Sequence, residues 1–201
     1  MRIDPAYGPF AAARDQGDEA QAALAATLRD GSDSVWLVER AEWPAPRGTR
    51  VVRTAPLVQM VAENPVPMRP GDEVAVMLGD ADIPAMTELA LATEPGPWGP
   101  RTAHYGAFYG IKRDGKLLAM AGERMLPAPG FDEVSGVCTW PEFQGQGLAA
   151  KLIRRVMAGI AGRGAVPFLH SYAGNARAIG LYESLGFRIR AKMVVTVLAL
   201  T

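Results

Sequence analysis

The stretch from Glu133 to Ile160 constrains the fold more than any other part of the chain. It reads EVSGVCTW, then PEFQGQG, then LAAKLIRRVMAGI. The first part has the β-branched and small residues of a strand, the second is a proline-opened glycine turn, and the third has helical spacing. Leu148, Leu152, Ile153, Val156, Met157 and Ile160 form one apolar stripe, with Lys151, Arg154 and Arg155 on the other side. A strand that runs through glycines straight into a helix is suited to holding phosphate. The first helical N–H groups lack an intrahelical partner, and the macrodipole adds partial positive charge there. Gly145 and Gly147 carry no Cβ, so a diphosphate can come close to the backbone. The turn is therefore read as the grip on the diphosphate of a cofactor.

Three known turns share this outline. A Walker A loop requires G-x-x-x-x-G-K-S/T, and Lys151 is neither preceded by glycine nor followed by Ser or Thr. That reading fails. Gly145 to Ala150 does satisfy G-x-G-x-x-A, the dinucleotide fingerprint. A Rossmann turn, however, begins almost at the strand end, whereas Pro141 to Gln144 intervene here. The next strand also runs into Phe168, Leu169 and His170 with no acidic residue at its end.

The third outline fits throughout. Gln144-x-x-Gly147-x-Ala149, after a V-C-T strand and a proline, resembles the Q/R-x-x-G-x-G/A acetyl-CoA motif of the GNAT superfamily of N-acetyltransferases. Downstream, Asn175-x-x-Ala178-x-x-Leu181-Tyr182-Glu183-x-Leu185-Gly186-Phe187 resembles the second half of the same signature. Two motifs at the right separation are far more specific than one. The resemblance spans roughly residues 72 to 201 and is weakest at its start, with Gln144 where many members carry Arg. It implies an α/β fold: a central mixed, twisted sheet, helices on both faces, and two splayed strands ending at Thr139 and His170. The pantetheine arm of acetyl-CoA would lie in that gap.

Composition narrows the setting. The 201 residues suffice for one domain with a full core, or for a domain with an extension. Lys plus Arg and Asp plus Glu both total 21, so no net field favours nucleic acid. No signal peptide or membrane-length apolar run is visible, and the single cysteine, Cys138, fits a reducing compartment. A cytoplasmic protein is expected, monomeric or homodimeric, acting on something small or on a peptide end.

Along the chain, Asp18 to Asp30 reads as a helix, and Val35–Val38 and Arg50–Arg53 as short apolar runs. NPVPMRPG, residues 64–71, is the best linker candidate, dividing a segment 1–70 (a degenerate half-domain or substrate-side extension) from a domain 71–201. Val74 to Leu78 is expected as a buried strand, and Asp82 as the cap of a helix through Leu91. Asp114-Gly115 marks a hairpin between Phe108–Ile111 and Leu117–Met125. Strands follow at Val134–Thr139, Val166–His170 and Ile189–Leu198, with a helix over Asn175–Leu185 closed by Gly186.

Acetyl transfer to an amine requires an anchored thioester, a polarised carbonyl, a neutral amine and a protonated leaving thiolate. The resemblance assigns the diphosphate to the amides of Gln144, Gly145, Gln146, Gly147, Leu148 and Ala149. It assigns the pantetheine to the backbone of Val137, Cys138 and Thr139, where one N–H would also meet the oxyanion. Ser171, Asn175, Ala178 and Tyr182 line the same groove. Tyr182 is the candidate general acid, or else a core tyrosine. Glu133 is the candidate general base through water, or else a solvated strand-edge charge. Glu123 is a second base, an amine anchor or the ion-pair partner of Arg124. Cys138 and His170 flank the gap and raise a nucleophile pair, although a buried cysteine is more often a small core hydrophobe.

Lys151, Arg154, Arg155 and Arg177 either meet the cofactor's ribose phosphate or form a solvated face. His104 belongs to a loop wall, since two histidines and one cysteine make no metal ligand set. The acceptor's walls are expected around Asp82–Arg101 and in the N-terminal segment, with Trp98 as lid or packing. The expected activity is acetyl transfer from acetyl-CoA to a primary amine by direct attack in a ternary complex. The alternative is a catalytically silent acyl-CoA binder of the same fold.

Overall fold

Alternation of side chains builds a single eight-stranded sheet. In order, the elements are α1 (Asp18–Ala25), β1 (Ser34–Glu39), β2 (Thr49–Val61), β3 (Val76–Met77), α2 (Ile83–Thr93), β4 (Phe108–Arg113) and β5 (Lys116–Glu123). They continue with β6 (Phe131–Thr139), α3 (Leu148–Gly162), β7 (Val166–Tyr172), α4 (Ala176–Ser184) and β8 (Arg188–Leu200). The computed structural model describes all 201 residues. The strands lie in the order β1-β8-β2-β7-β6-β5-β4-β3, and only β6 and β7 run parallel. The β4–β5 turn places Asp114 and Gly115 at positive φ (50° and 79°), the conformation the Asp-Gly pair predicts.

Consecutive residues report the two faces. On β4, Tyr109 joins the core under α3 while Phe108 joins the core under α2. On β2, Val58 packs with the α3 core and Leu57 belongs to a cluster on the opposite side. The α3 core is the larger, and its centre (Leu152, Ile153, Val156, Met157 and Ile160) is fully buried. α1 adds Leu24 to a satellite cluster with Leu28, Val35, Leu37 and Leu198.

Several expectations are corrected. The buried strand at Val74–Leu78 shrinks to Val76–Met77 at the sheet edge, with Val74, Val76 and Met77 exposed. α1 stops at Ala25, short of Asp30. Asp82 precedes α2 without a side-chain cap; its carboxylate accepts from Gly79 N–H and Lys112 instead. The proline run 64–71 makes no break in the sheet. β2 lies before it in sequence yet hydrogen-bonds on both sides, to β7 and to β8. The run is itself pinned: Val66 N–H donates to Leu185 O, and Asn64 O approaches Gly186 so closely that a Cβ there would lie 2.7 Å away.

Candidate active site

The β6–β7 ladder is short. Phe131, Asp132 and Glu133 pair with Val166, Pro167 and Phe168, and pairing ends there although β6 continues to Thr139 and β7 to Tyr172. A bulge helps to turn β6 away. Met120 faces Cys138 and Gly122 faces Ser135, leaving Gly136 and Val137 together opposite Ala121. Gly136 has φ +60°, and a Cβ there would meet the Phe108 ring at 2.8 Å, so glycine is required twice over. Trp140 N–H bonds to Leu118 O on β5, so by alternation the N–H groups of Thr139 and Val137 turn the other way, into the gap.

One cleft of about 620 Å³ runs through this gap. It gathers Val137, Cys138, Thr139, Gln144, Gly145, Gly147, Leu148, Ala149, Ser171, Asn175, Ala178 and Tyr182. Of the residues assigned to the cofactor, only Gln146 lies outside it. At its α3 end the backbone N–H groups from Gly145 to Ala150 have no acceptor in the protein. Gly147, at φ +73°, caps the helix, and nothing lies within 4 Å of where its Cβ would stand. A cradle of N–H donors without protein acceptors at a helix N-terminus suits a diphosphate. Gln144 spans the turn, donating to Thr139 O and accepting from Arg177. Asn175 caps α4 through Ala178 N–H while also facing the cleft.

Of the four basic residues weighed for phosphate, only Arg177 lines the cleft. Arg154 is the clearest departure: it is buried, in a two-bond pair with Asp72 (both 2.6 Å). Lys151 donates to Gly71 O, and Arg155 stacks on Tyr109 at 4.8 Å. Glu123 pairs with Arg163 rather than Arg124, and Arg163 also holds Asp132. Trp98 packs edge-on to Phe108 and donates to Thr87, a packing role. His104 lies on a loop, 4.0 Å from Asp80.

The deepest charged group is Glu133, which is fully buried and no strand-edge charge. Arg124 clamps both its oxygens (2.9 and 2.8 Å), and His170 Nδ1 lies 2.9 Å from Oε1. Burial alone would raise the Glu133 pKa. The Arg124 charge and its hydrogen bonds, with His170, outweigh that and hold it at about 2. A carboxylate so acidic and so enclosed is a poor base. Its third side-chain partner, His170, lines the cleft. Arg190 donates to Gln59 Oε1, so the Gln59 amide nitrogen, 3.2 Å from His170 Nε2, must donate to that ring nitrogen. The ring thus presents Nδ1 to Glu133 and Nε2 to the Gln59 amide. No sequence spacing points to this link; it needs the pairing of β6 with β7.

Two other reactive groups face the cleft. Burial raises the Tyr182 phenol to about 12, so it stays protonated at neutral pH; its ring packs edge-on to Phe187. Burial likewise pushes the Cys138 thiol up to about 12, with Sγ directed to Gly136 O, which leaves it a weak nucleophile.

Comparison with known proteins agrees with this architecture. The family described as FR47-like protein matches residues 108–195. The N-alpha-acetyltransferase RimI of Mycobacterium tuberculosis is 30% identical over 122 residues, covering 57% of this chain and 76% of that protein. The ribosomal protein bS18-alanine N-acetyltransferase of Escherichia coli K12 is 31% identical over 118 residues, covering 55% and 77%. The chain belongs to the GNAT superfamily of N-acetyltransferases. A GNAT-family protein of known structure from Novosphingobium aromaticivorans superposes with a TM-score of 0.94 at 60% identity, over all of this chain and 88% of that one. As a GNAT enzyme the chain is an acetyltransferase, and members of the family use acetyl-CoA. No helix is long and apolar enough to cross a membrane.

Proposed function

We propose that this GNAT enzyme moves the acetyl group of acetyl-CoA to a primary amine by direct attack, with His170 as the base and Tyr182 as the acid. The carrying observation is the continuity of one cleft from the unpaired amides of Gly145–Ala150, through the β6–β7 gap, to His170. The amides of Gly145–Ala150 would hold the diphosphate, and Thr139 or Val137 N–H would meet the developing oxyanion. Acetyl-CoA supplies the activated carbonyl.

An entering ammonium is a stronger donor than the Gln59 amide and would displace it at His170 Nε2. His170 takes one proton from that ammonium, Glu133 steadies the resulting imidazolium, and the freed lone pair of the neutral amine forms the N–C bond as the C–S bond breaks. Tyr182 gives its proton to the departing sulfur and regains one from the acylated nitrogen. Glu133 thus acts by positioning, not by touching substrate. The bS18-alanine relatives act on a protein alanine, in keeping with an amine acceptor.

The test is thiol release from acetyl-CoA with and without amines, beside calorimetry with CoA. Turnover that needs an amine, and that falls about 10²–10⁴-fold in His170→Ala with CoA affinity unchanged, is the expected result. CoA binding with no turnover on any amine would favour the silent binder.

A further inference from the structure

β1, β8 and β2 carry Trp36, Val38, Leu57, Val195 and Val197 on the side away from α1 and α3, and no helical residue packs among them. Val35 and Leu37, the alternate residues of β1, are fully buried on the other side. Trp36, Val38, Leu57 and Val195 line the same cleft as His170, joined by Phe10 and Met125. On β7, Leu169 packs into the α3 core, so His170 and Tyr172 point by alternation away from α3, to the side that carries this wall. The apolar wall and the base therefore share a face, with the diphosphate cradle on the other.

The wall is held in place. Phe10 meets Trp36 edge-on at 6.3 Å, and the Arg53 guanidinium lies 5.1 Å from the Trp36 ring centre. Arg53 is fixed in turn by the Tyr172 hydroxyl at 2.7 Å. Phe10 packs at 4.6 Å under Arg124, the residue that clamps Glu133. Acidic groups are scarce: Glu94 alone lines the cleft, while Glu133 is neutralised behind His170. A polyamine would find no set of carboxylates for its remote cations. Leu57, Val195 and Phe10 are already buried, but Trp36, Val38 and Met125 are only half-buried, and an aryl or alkyl body would cover what they leave exposed.

Resting on the transfer reading above, we propose that the acceptor is a primary amine on an apolar, ring-bearing body. That body lies against Phe10, Trp36 and Leu57 and presents its nitrogen to His170. The experiment uses the full chain with acetyl-CoA and three amines: 2-phenylethylamine, ethanolamine and spermidine. Thiol release is followed, and each amine is also titrated calorimetrically into the CoA-saturated protein.

The expected result is a kcat/KM for 2-phenylethylamine at least about tenfold above the other two. Trp36→Ala should raise its KM about tenfold with little change in kcat, and Trp36→Phe should restore most of it. Equal or better use of spermidine or ethanolamine overturns the proposal and leaves acetyl transfer standing. So does a KM for 2-phenylethylamine indifferent to both Trp36 variants. If 2-phenylethylamine binds in a Trp36-dependent way but no amine is acetylated, the subsite stands and the transfer reading falls. If it neither binds nor reacts, the subsite assignment is overturned.

Discussion

Two arginine–carboxylate pairs are buried in this protein, and they differ in their third partner. Asp72–Arg154 and Glu133–Arg124 are both two-bond pairs with nearly inaccessible carboxylates. The remaining contact of Asp72 is the N–H of Arg69, which closes its own loop against α3. The remaining contact of Glu133 is His170, on a neighbouring strand and facing the cleft. The same chemical unit is a staple in one place and, in the proposed mechanism, the backing of a base in the other. A buried ion pair is thus not evidence of function until the group it leads to is known.

Variants can separate the two. Glu133→Gln should have the largest effect, since it leaves Arg124 buried without its counter-charge. About 3 kcal/mol of stability should go, with a loss of turnover approaching that of His170→Ala. Denaturant unfolding and initial rates both read it. Acid provides a second reading. Held near pH 2 against an ordinary value of 4.5, Glu133 contributes stability above about pH 4.5 that is lost as pH falls toward 2. Glu133→Gln should lose less of its remaining stability than wild type between pH 5 and pH 3. Equal acid sensitivity would place the depressed carboxylate elsewhere.

Asp72→Asn should cost a similar amount of stability, about 3 kcal/mol, while the folded fraction keeps its kcat within about twofold. A matching collapse in kcat would erase the distinction between the pairs. Tyr182→Phe should lower kcat about tenfold and leave CoA affinity unchanged, the mark of a proton donor rather than a packing residue. The smallest effect belongs to Cys138→Ala, for which kcat should stay within about threefold; loss of all activity would revive a thiol nucleophile.

Legibility in the sequence followed the range of the interactions. The glycine turn, α3, the Asp114-Gly115 hairpin and the two family motifs are local, and twelve of the thirteen residues they assigned to the cofactor converge on one cleft. What stayed hidden was long-range. Helical periodicity puts Arg154 opposite the apolar stripe, yet a loop distant in sequence supplies Asp72 and buries it. Glu133 was recognised as a candidate, but its neighbours Arg124 and His170 follow from strand pairing rather than spacing. The position of β2, between two strands from the far end of the chain, has no local signature: its first half is mostly exposed and its second half largely buried.

That placement of β2 carries a consequence for how the molecule is made. As the chain leaves the ribosome, β2 is complete long before either neighbour exists, because both its ladders are supplied by residues 166–200. Until then it is an unpaired ribbon with apolar Leu57, Val58 and Met60 facing solvent, open to association with other nascent chains. The pairing that completes this half of the sheet is therefore non-local and comes late in synthesis. Removing the last strand would leave β1 without a strand partner and turn β2 into an edge held by β7 alone, since β8 is the seam that joins them.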